Sequence, residues 1–441
     1  MFDNNIKVKD DSFKDERLED YVEKFSFPRL CGTEGEELAV DLCYKTFKEI
    51  GFSEDQLEKE PFEFSDFYST TLIKLIMSMS LIFILIIVFS VYIYALLTFL
   101  LIGFMAIIVL LIIRGLKHPE KKGFWGEYFG LTRPATNVIA KKFAKNLNYE
   151  EAGDIVISAH LDSKSQTLKT SWRVVLYRVW LFSGILLGGF IIANLIYRSI
   201  PLPIPRIEFE IAGYIVLLID FGTWVLAALI IMSNVFLMFL NTHNKSPGAL
   251  DNASGMAIVF ELSSYFKDHP LNNFNLWFCQ FSAEELGTMG SRIFVNNRED
   301  KFTKGRIFQI NLDMVSAAGT GKRNRVEYLK SYGVLPRKKI APLLSTYLDN
   351  AAEEEDVEVV GFHLTTGAHL DSVPFHLRGF DALDLSTRAG AKWTHDITDT
   401  PDKVDPEVLL DACKVVRRAV LQLDHDYEKL CETDHLVCEE E

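Results

Sequence analysis

Phe274-Asn275-Leu276-Trp277-Phe278-Cys279-Gln280-Phe281 runs straight into Ser282-Ala283-Glu284-Glu285-Leu286-Gly287-Thr288-Met289-Gly290-Ser291. An apolar, aromatic-rich run of strand length ends on two adjacent carboxylates, and a helical pattern follows over 286–297. The same unit recurs along the chain. Ile155-Val156-Ile157-Ser158-Ala159, 307–312 and 382–385 read as further strands, with helices expected over 254–266, 338–352 and 406–427. Asn137-Val138-Ile139-Ala140 and 61–67 are strand candidates, and 14–50 reads as two helices around Pro28-Arg29-Leu30-Cys31-Gly32-Thr33. This alternation predicts an α/β fold: a three-layer domain with a mixed, largely parallel central sheet.

Two apolar blocks interrupt the pattern. From Leu75 to Ile113 there is no Asp, Glu, Lys or Arg. One helix of that length would run roughly 58 Å, about twice a bilayer's hydrocarbon core, so two joined spans fit better. The second block is uncharged from Val179 to Tyr197, and from Ile211 to Leu240 it is broken only by Asp220. Its halves meet at Pro201-Leu202-Pro203-Ile204-Pro205, which no helix crosses unbroken. The reading is four transmembrane helices in two inserted hairpins, 71–117 and 173–242. The remaining segments, 1–70, 118–172 and 243–441, form one discontinuous domain. Strands flank each hairpin, so each insertion must cross the bilayer an even number of times. Asp220 is a functional candidate as an intramembrane acid, or else an interfacial residue, since 221–240 alone is long enough to span.

The net charge of −14 argues against nucleic acid as a partner. The polar N-terminus shows no cleavable signal peptide. The six cysteines have no clear metal or disulfide spacing and read as reduced thiols. Flanking charges on the soluble side (Lys74, Arg114, Lys117, Lys121, Lys122, Arg173, Arg178, Lys245) outnumber those on the far side (Arg198, Arg206). That asymmetry places the soluble domain in the cytoplasm of an integral, multi-pass membrane protein.

The acids and histidines at strand ends carry the chemistry. His160-Leu161-Asp162 follows 155–159, so a strand delivers the histidine to the sheet's carboxyl edge, and Asp162 can accept its second ring N–H. The tetrapeptide recurs at His369-Leu370-Asp371-Ser372 without a clear strand before it, which favours the first copy. Asp251, in Gly248-Ala249-Leu250-Asp251-Asn252, precedes a helix and reads as an N-cap or as a carboxylate bridging two cations. Glu284 and Glu285, enclosed after a buried strand, would repel each other without a cation nearby. Asp313 ends the 307–312 strand, and Trp393-Thr394-His395-Asp396 offers a second histidine.

Taken together, these motifs resemble the co-catalytic di-zinc aminopeptidase family of the bacterial leucyl type, whose relatives include glutamate carboxypeptidase-like enzymes and glutaminyl cyclases. The resemblance covers the soluble sequence but neither hairpin. It implies two Zn2+ per chain, with Asp251 bridging, His160 and Asp313 on one ion, and Glu285 and His395 on the other. It further implies Glu284 as general base, Asp162 as the partner of His160, and Asp371-Ser372-Val373-Pro374-Phe375 as the substrate-pocket loop. The expected function is a membrane-anchored zinc metallopeptidase that removes N-terminal residues from a peptide substrate. His160-Leu161-Asp162-Ser163-Lys164 also resembles the cyclases, so glutaminyl-peptide cyclization is an alternative, as is an inactive membrane scaffold. Two departures stand out. Leu250 occupies a position where many relatives carry an acid, and Thr394 stands where some carry Tyr.

Overall fold

The computed structural model describes residues 13–116, 119–120, 129–199, 206–318, 325–333, 337–365 and 370–437. In chain order its strands are β1 (Leu57–Ser65), β2 (Thr132–Lys142), β3 (Gly153–His160), the short β4 (Ser165–Gln166) and β5 (Thr242–His243), β6 (Phe274–Phe281), β7 (Ile307–Leu312), β8 (Val326–Tyr332), β9 (Lys338–Lys339), β10 (Val359–Leu364) and β11 (Asp381–Leu385). The helices are α1 (Asp15–Phe25), α2 (Glu34–Ile50), α3 (Leu72–Ile93), α4 (Ala95–Leu116), α5 (Thr170–Ser199), α6 (Arg206–Met238), α7 (Ser254–Asp268), α8 (Met289–Asn296), α9 (Pro342–Glu355), α10 (Val373–His376), α11 (Pro406–His425) and α12 (Tyr427–Val437). Contacts group them into two units, 1–64 with 132–165 and 243–441, and 65–131 with 166–242.

The first unit is built on one sheet, ordered β1-β2-β6-β3-β7-β11-β8-β10, with β9 beside β8. β6, β3, β7 and β11 are mutually parallel neighbours, β8 and β10 are also parallel, and β2 and β11 pair antiparallel with β6 and β8. Every residue of β3, β6 and β7 is buried, as strands covered on both faces require. Alternate side chains of one strand enter different cores. Ile155, Ile157 and Phe278 pack with Phe260 of α7 and Val416 of α11, whereas Val156, Trp277 and Cys279 pack with Phe294 of α8 and Phe375 of α10. Each such fully buried side chain contributes roughly 1.5–3 kcal/mol. The result is the expected three-layer α/β architecture with a mixed, largely parallel sheet.

Several boundaries differ from the sequence reading, each for a local reason. The helix expected from Leu286 begins at Met289, because Gly287 and Thr288 return their N–H groups to the Glu284 carbonyl (2.9 and 2.8 Å) in a turn. The helix expected from Lys338 begins at Pro342, a residue suited to the first helical turn, while Lys338 and Lys339 pair with β8. β8 and β10 were not anticipated. Glu327 and Lys330 blur the apolar run of β8, and Glu327 is in fact buried against Arg388 (2.9 Å).

Among the described residues the second unit holds four helical spans long and apolar enough to cross a bilayer: Phe67–Ile93, Leu96–Gly115, Thr170–Ile196 and Val216–Met238. Residues 201–205, where the proline-rich break falls, lie outside the described residues. α3 and α4 are separated by Tyr94 alone, and the Ser90 and Thr98 hydroxyls meet across that turn (2.8 Å). A small core joins Val88 and Val91 of α3 to Leu187 and Ile191 of α5 and to Ala227 and Ile230 of α6. Most other apolar side chains face outward, among them Leu100, Phe104 and Leu110 of α4. Asp220 of α6 accepts hydrogen bonds from Tyr92 of α3 (3.1 Å) and Asn194 of α5 (3.0 Å).

The second insertion leaves and returns at one point of the first unit. The Ser165 hydroxyl donates to the His243 carbonyl (2.9 Å) and accepts from the Lys245 N–H (3.1 Å). The described cysteines are free thiols, four of them buried. Cys438 and His369 lie outside the described residues.

Candidate metal centre

Because β6, β3, β7 and β11 run parallel and side by side, their carboxyl ends share one edge, where open α/β sheets place their sites. His160 is the last residue of β3, Glu284 and Glu285 follow β6, and Asp313 follows β7. The turn before α7 supplies Asp251, whose peptide bond to Asn252 is cis. His395 comes from the segment after β11. Asn252 ties these elements together. It donates to the Leu312 carbonyl (2.8 Å) and accepts from the Gly255 and Met314 N–H groups (3.1 and 3.2 Å). Gly255 has no room for a side chain, since a Cβ there would lie 2.2 Å from the Leu312 carbonyl oxygen.

Two ligand groups result, sharing one acid. His160, Asp251 and Asp313 form the first, and Asp251, Glu285 and His395 the second. In each, one ligand atom per residue lies within 4.8 Å of the others. The two Asp251 oxygens divide between them, with Oδ1 lying 3.2 Å from His160 Nε2 and Oδ2 3.3 Å from His395 Nε2. His160 Nε2 is also 3.6 Å from Asp313 Oδ1, and His395 Nε2 is 3.0 Å from Glu285 Oε2. Ala283, Met314 and His395, each beside or within the ligand set, hold positive φ (58°, 55° and 61°), a strained state for residues with side chains.

Asp162 is placed differently from the simplest expectation. His160 Nδ1 is nearest the Asp162 main-chain carbonyl (3.0 Å), and the carboxylate is farther, at 3.6 Å. The carboxylate instead accepts the Glu284 and Glu285 N–H groups (3.1 and 3.2 Å), so Asp162 orients the acid pair as well as the histidine. Glu284 is 8% exposed, and its carboxylate makes no hydrogen bond among the described residues.

The acids polarise the site strongly. Burial would lower the His160 pKa, yet Asp162, Asp251 and Asp313 lift it well above the usual histidine value. Burial, with Glu285 adding, raises Asp251. Burial also drives Glu284 well above the carboxylate range, opposed by His160 and reinforced by Glu285, Asp313 and Asp371. Glu285 is held low: burial opposes this, but His395 and Lys164 prevail. Lys164 lies 2.7 Å from Glu285 Oε2, while Glu285 Oε1 is buried without a hydrogen-bond partner. The field that favours a proton on His160 favours a metal cation equally. Two imidazoles and three carboxylates, one buried oxygen of which lacks a donor, therefore fit a pair of divalent ions of the zinc class.

Asp371 is buried beneath this edge and takes a 2.5 Å hydrogen bond from Ser291. Burial pushes it up to about 7. Thr394 is buried too, with its hydroxyl 2.9 Å from both Gly390 O and Met314 Sδ. Sequence reasoning gave no role to Asp399 or Lys164, both of which touch ligand residues. In sequence Asp399 is one acid of the polar turn Thr398-Asp399-Thr400-Pro401-Asp402, and Lys164 is the residue after a His-Leu-Asp-Ser motif.

With these residues in place, the comparisons bear on the same segments. The family model described as Peptidase family M28 matches residues 238–420, which include Asp251, Glu284, Glu285, Asp313 and His395. Residues 238–420 are thus similar to peptidase family M28. It is 29% identical over 191 residues to Aminopeptidase YwaD of Bacillus subtilis (strain 168), covering 40% of this chain and 38% of that protein. The chain thus spans well under half the length of this relative. Among solved structures it is similar to BSAP, a zinc aminopeptidase from Bacillus subtilis (TM-score 0.51, 16% identity, 93% of this chain and 95% of that one). It is also similar to the glutaminyl cyclase of an Acidobacteriales bacterium (TM-score 0.52, 14% identity, 96% and 99% covered). At these identities the structural likenesses show a shared fold alone.

Proposed function

We propose that this chain is a membrane-anchored zinc metallopeptidase of the M28 aminopeptidase type, cleaving N-terminal residues from peptides. The observation that carries the reading is the pair of acid–histidine groups sharing Asp251, with the unbonded Glu284 carboxylate beside them. His160, Asp251 and Asp313 would hold one ion, and Asp251, Glu285 and His395 the second. When bound, such a pair supplies charge that acidifies a water and polarises the scissile carbonyl.

The remaining work falls to side chains. Glu284 takes the proton of the attacking water on a carboxylate oxygen as the new C–O bond forms. It returns that proton to the leaving nitrogen as the C–N bond breaks. Asp162 holds the Glu284 and Glu285 main chain and the His160 ring, so that base and ligands keep one geometry. The four apolar spans are the proposed anchor, and the excess of flanking lysines and arginines supports a cytoplasmic soluble domain.

The direct test presents purified protein with aminoacyl, N-blocked and N-terminal glutaminyl peptides, with and without a chelator. Chelator-sensitive release of N-terminal residues from free but not blocked peptides is the expected result. Cyclization of the glutaminyl peptide without hydrolysis of the others would instead assign the cyclase reaction, which the likeness of His160-Leu161-Asp162-Ser163-Lys164 to the cyclases and the similar glutaminyl cyclase structure make worth including. Protection of the C-terminus from protease in sealed, inside-in vesicles tests the orientation.

A further inference from the structure

Asp251 sits in an irregular turn, 249–253, with no strand behind it, yet the proposed centre needs its two oxygens aimed at different histidines. The turn is gripped from two sides. On one side is Arg29, fully buried although it carries a charge. Its guanidinium donates to four main-chain carbonyls: Nε to Leu161 (2.7 Å), Nη1 to Phe27 (3.1 Å) and Pro247 (2.6 Å), and Nη2 to Gly248 (2.8 Å). Among the described residues it hydrogen-bonds to no carboxylate. Ser163 reinforces the grip. Its N–H donates to the Arg29 carbonyl (3.2 Å), and its hydroxyl accepts from the Arg29 N–H and donates to the Ser246 carbonyl (both 3.2 Å).

Gly248 shows how tightly these parts fit. Its φ is +64°, and a Cβ there would lie 2.5 Å from Ser163 Cβ, 2.7 Å from the Asp251 carbonyl oxygen and 3.0 Å from Arg29 Nη1. On the other side Asp399 takes the turn's N–H groups, from Leu250 on Oδ1 (2.8 Å) and from Asp251 on Oδ2 (3.1 Å). The segment that ends in His160-Leu161 and the segment that carries Asp251 are thus clamped to a single side chain, although 166–242 intervenes in sequence.

We infer that Arg29 is the positioning residue of the centre. Through the carbonyls of Leu161, Pro247 and Gly248 it sets the spacing between the His160 and Asp251 ligands, with Gly248 and Asp399 completing the fit. The inference rests on the reading of Asp251 as a metal ligand. Arg29 touches neither substrate nor metal and acts only through the main chain.

The sign of one effect separates this role from simple electrostatics. Removing a buried cation from among acids should tighten the binding of a divalent ion, whereas removing a clamp should loosen it. The measurement is zinc stoichiometry and affinity by equilibrium dialysis of the full-length chain in detergent, alongside thermal melting. Arg29→Gln is expected to weaken zinc binding about tenfold or more despite the lost positive charge. Arg29→Lys keeps the charge but lacks the fork, and Gly248→Ala adds only a methyl group; both should weaken zinc binding similarly. If Arg29→Gln does not fold, these two variants decide the matter. Wild-type or tighter affinity in the folded variants overturns the inference. Asp251→Asn separates the two failures. If it binds zinc like the wild type, the metal reading itself is wrong. If it loses zinc while the Arg29 and Gly248 variants keep it, only the positioning role falls.

Discussion

Asp220 in the helical unit and Asp251 at the sheet edge are both acids with apolar neighbours in sequence, but their surroundings in space differ. Asp220 accepts hydrogen bonds from Tyr92 and Asn194, so one carboxylate ties three helices together. At the sheet edge Asp162, Asp251, Glu284, Glu285, Asp313 and Asp371 converge, with Lys164 and Arg29 as the nearby fixed cations. Neutral donors can satisfy one acid and make it a structural link. They cannot satisfy six, and an edge so rich in negative charge is arranged for something positive.

The largest effect that would break this contrast is at the base. Glu284→Gln should lower turnover about a thousandfold while leaving zinc content unchanged, as measured by steady-state kinetics and metal analysis of one preparation. Equal turnover would remove Glu284 from the chemistry. Chelation comes next. Stripping bound ions should cost the peptidase unit about 4 kcal/mol when free zinc had been near a thousand times its dissociation constant, read as a fall in melting temperature that zinc reverses.

In the helical unit, Asp220→Asn should leave peptide hydrolysis unchanged and cost about 1 kcal/mol or less, read by denaturation in detergent. A large loss of turnover would show that the two acids are not so different. The smallest effect concerns an acid at the far end of a site strand. Burial pushes Asp381, the first residue of β11, up to about 6. The folded state holds that proton more tightly than the unfolded chain, so its contribution favours folding below about pH 4 and is lost as pH rises towards 6. Asp381→Asn should therefore raise the melting temperature at pH 8 by roughly 2 °C and give no gain at pH 4.

The strands that build the edge could be read from the chain because burial on both faces writes long apolar runs, and β6 and β7 begin and end where those runs do. Residues at the ends of such runs, His160, Glu285 and Asp313, stand out for the same reason. β8 escaped notice because Glu327 and Lys330 interrupt it and its partner Arg388 is far away in sequence. The roles of Arg29 and Asp399 and the double duty of Asp162 were illegible for a deeper reason. These residues act on main-chain N–H and carbonyl groups, which every residue carries, so no side-chain spacing announces them.

The Ser165 hydroxyl, bonded to both His243 and Lys245, has a last consequence. Since the chain departs and returns at one place, the sheet-built unit experiences everything between as a closed loop. The entropy of closing a loop grows only with the logarithm of its length, about 0.6 kcal/mol per doubling. Folding of the sheet-built unit is thus nearly indifferent to how much chain the insertion contains. What this unit requires is that the two ends meet, and a single serine records that they do.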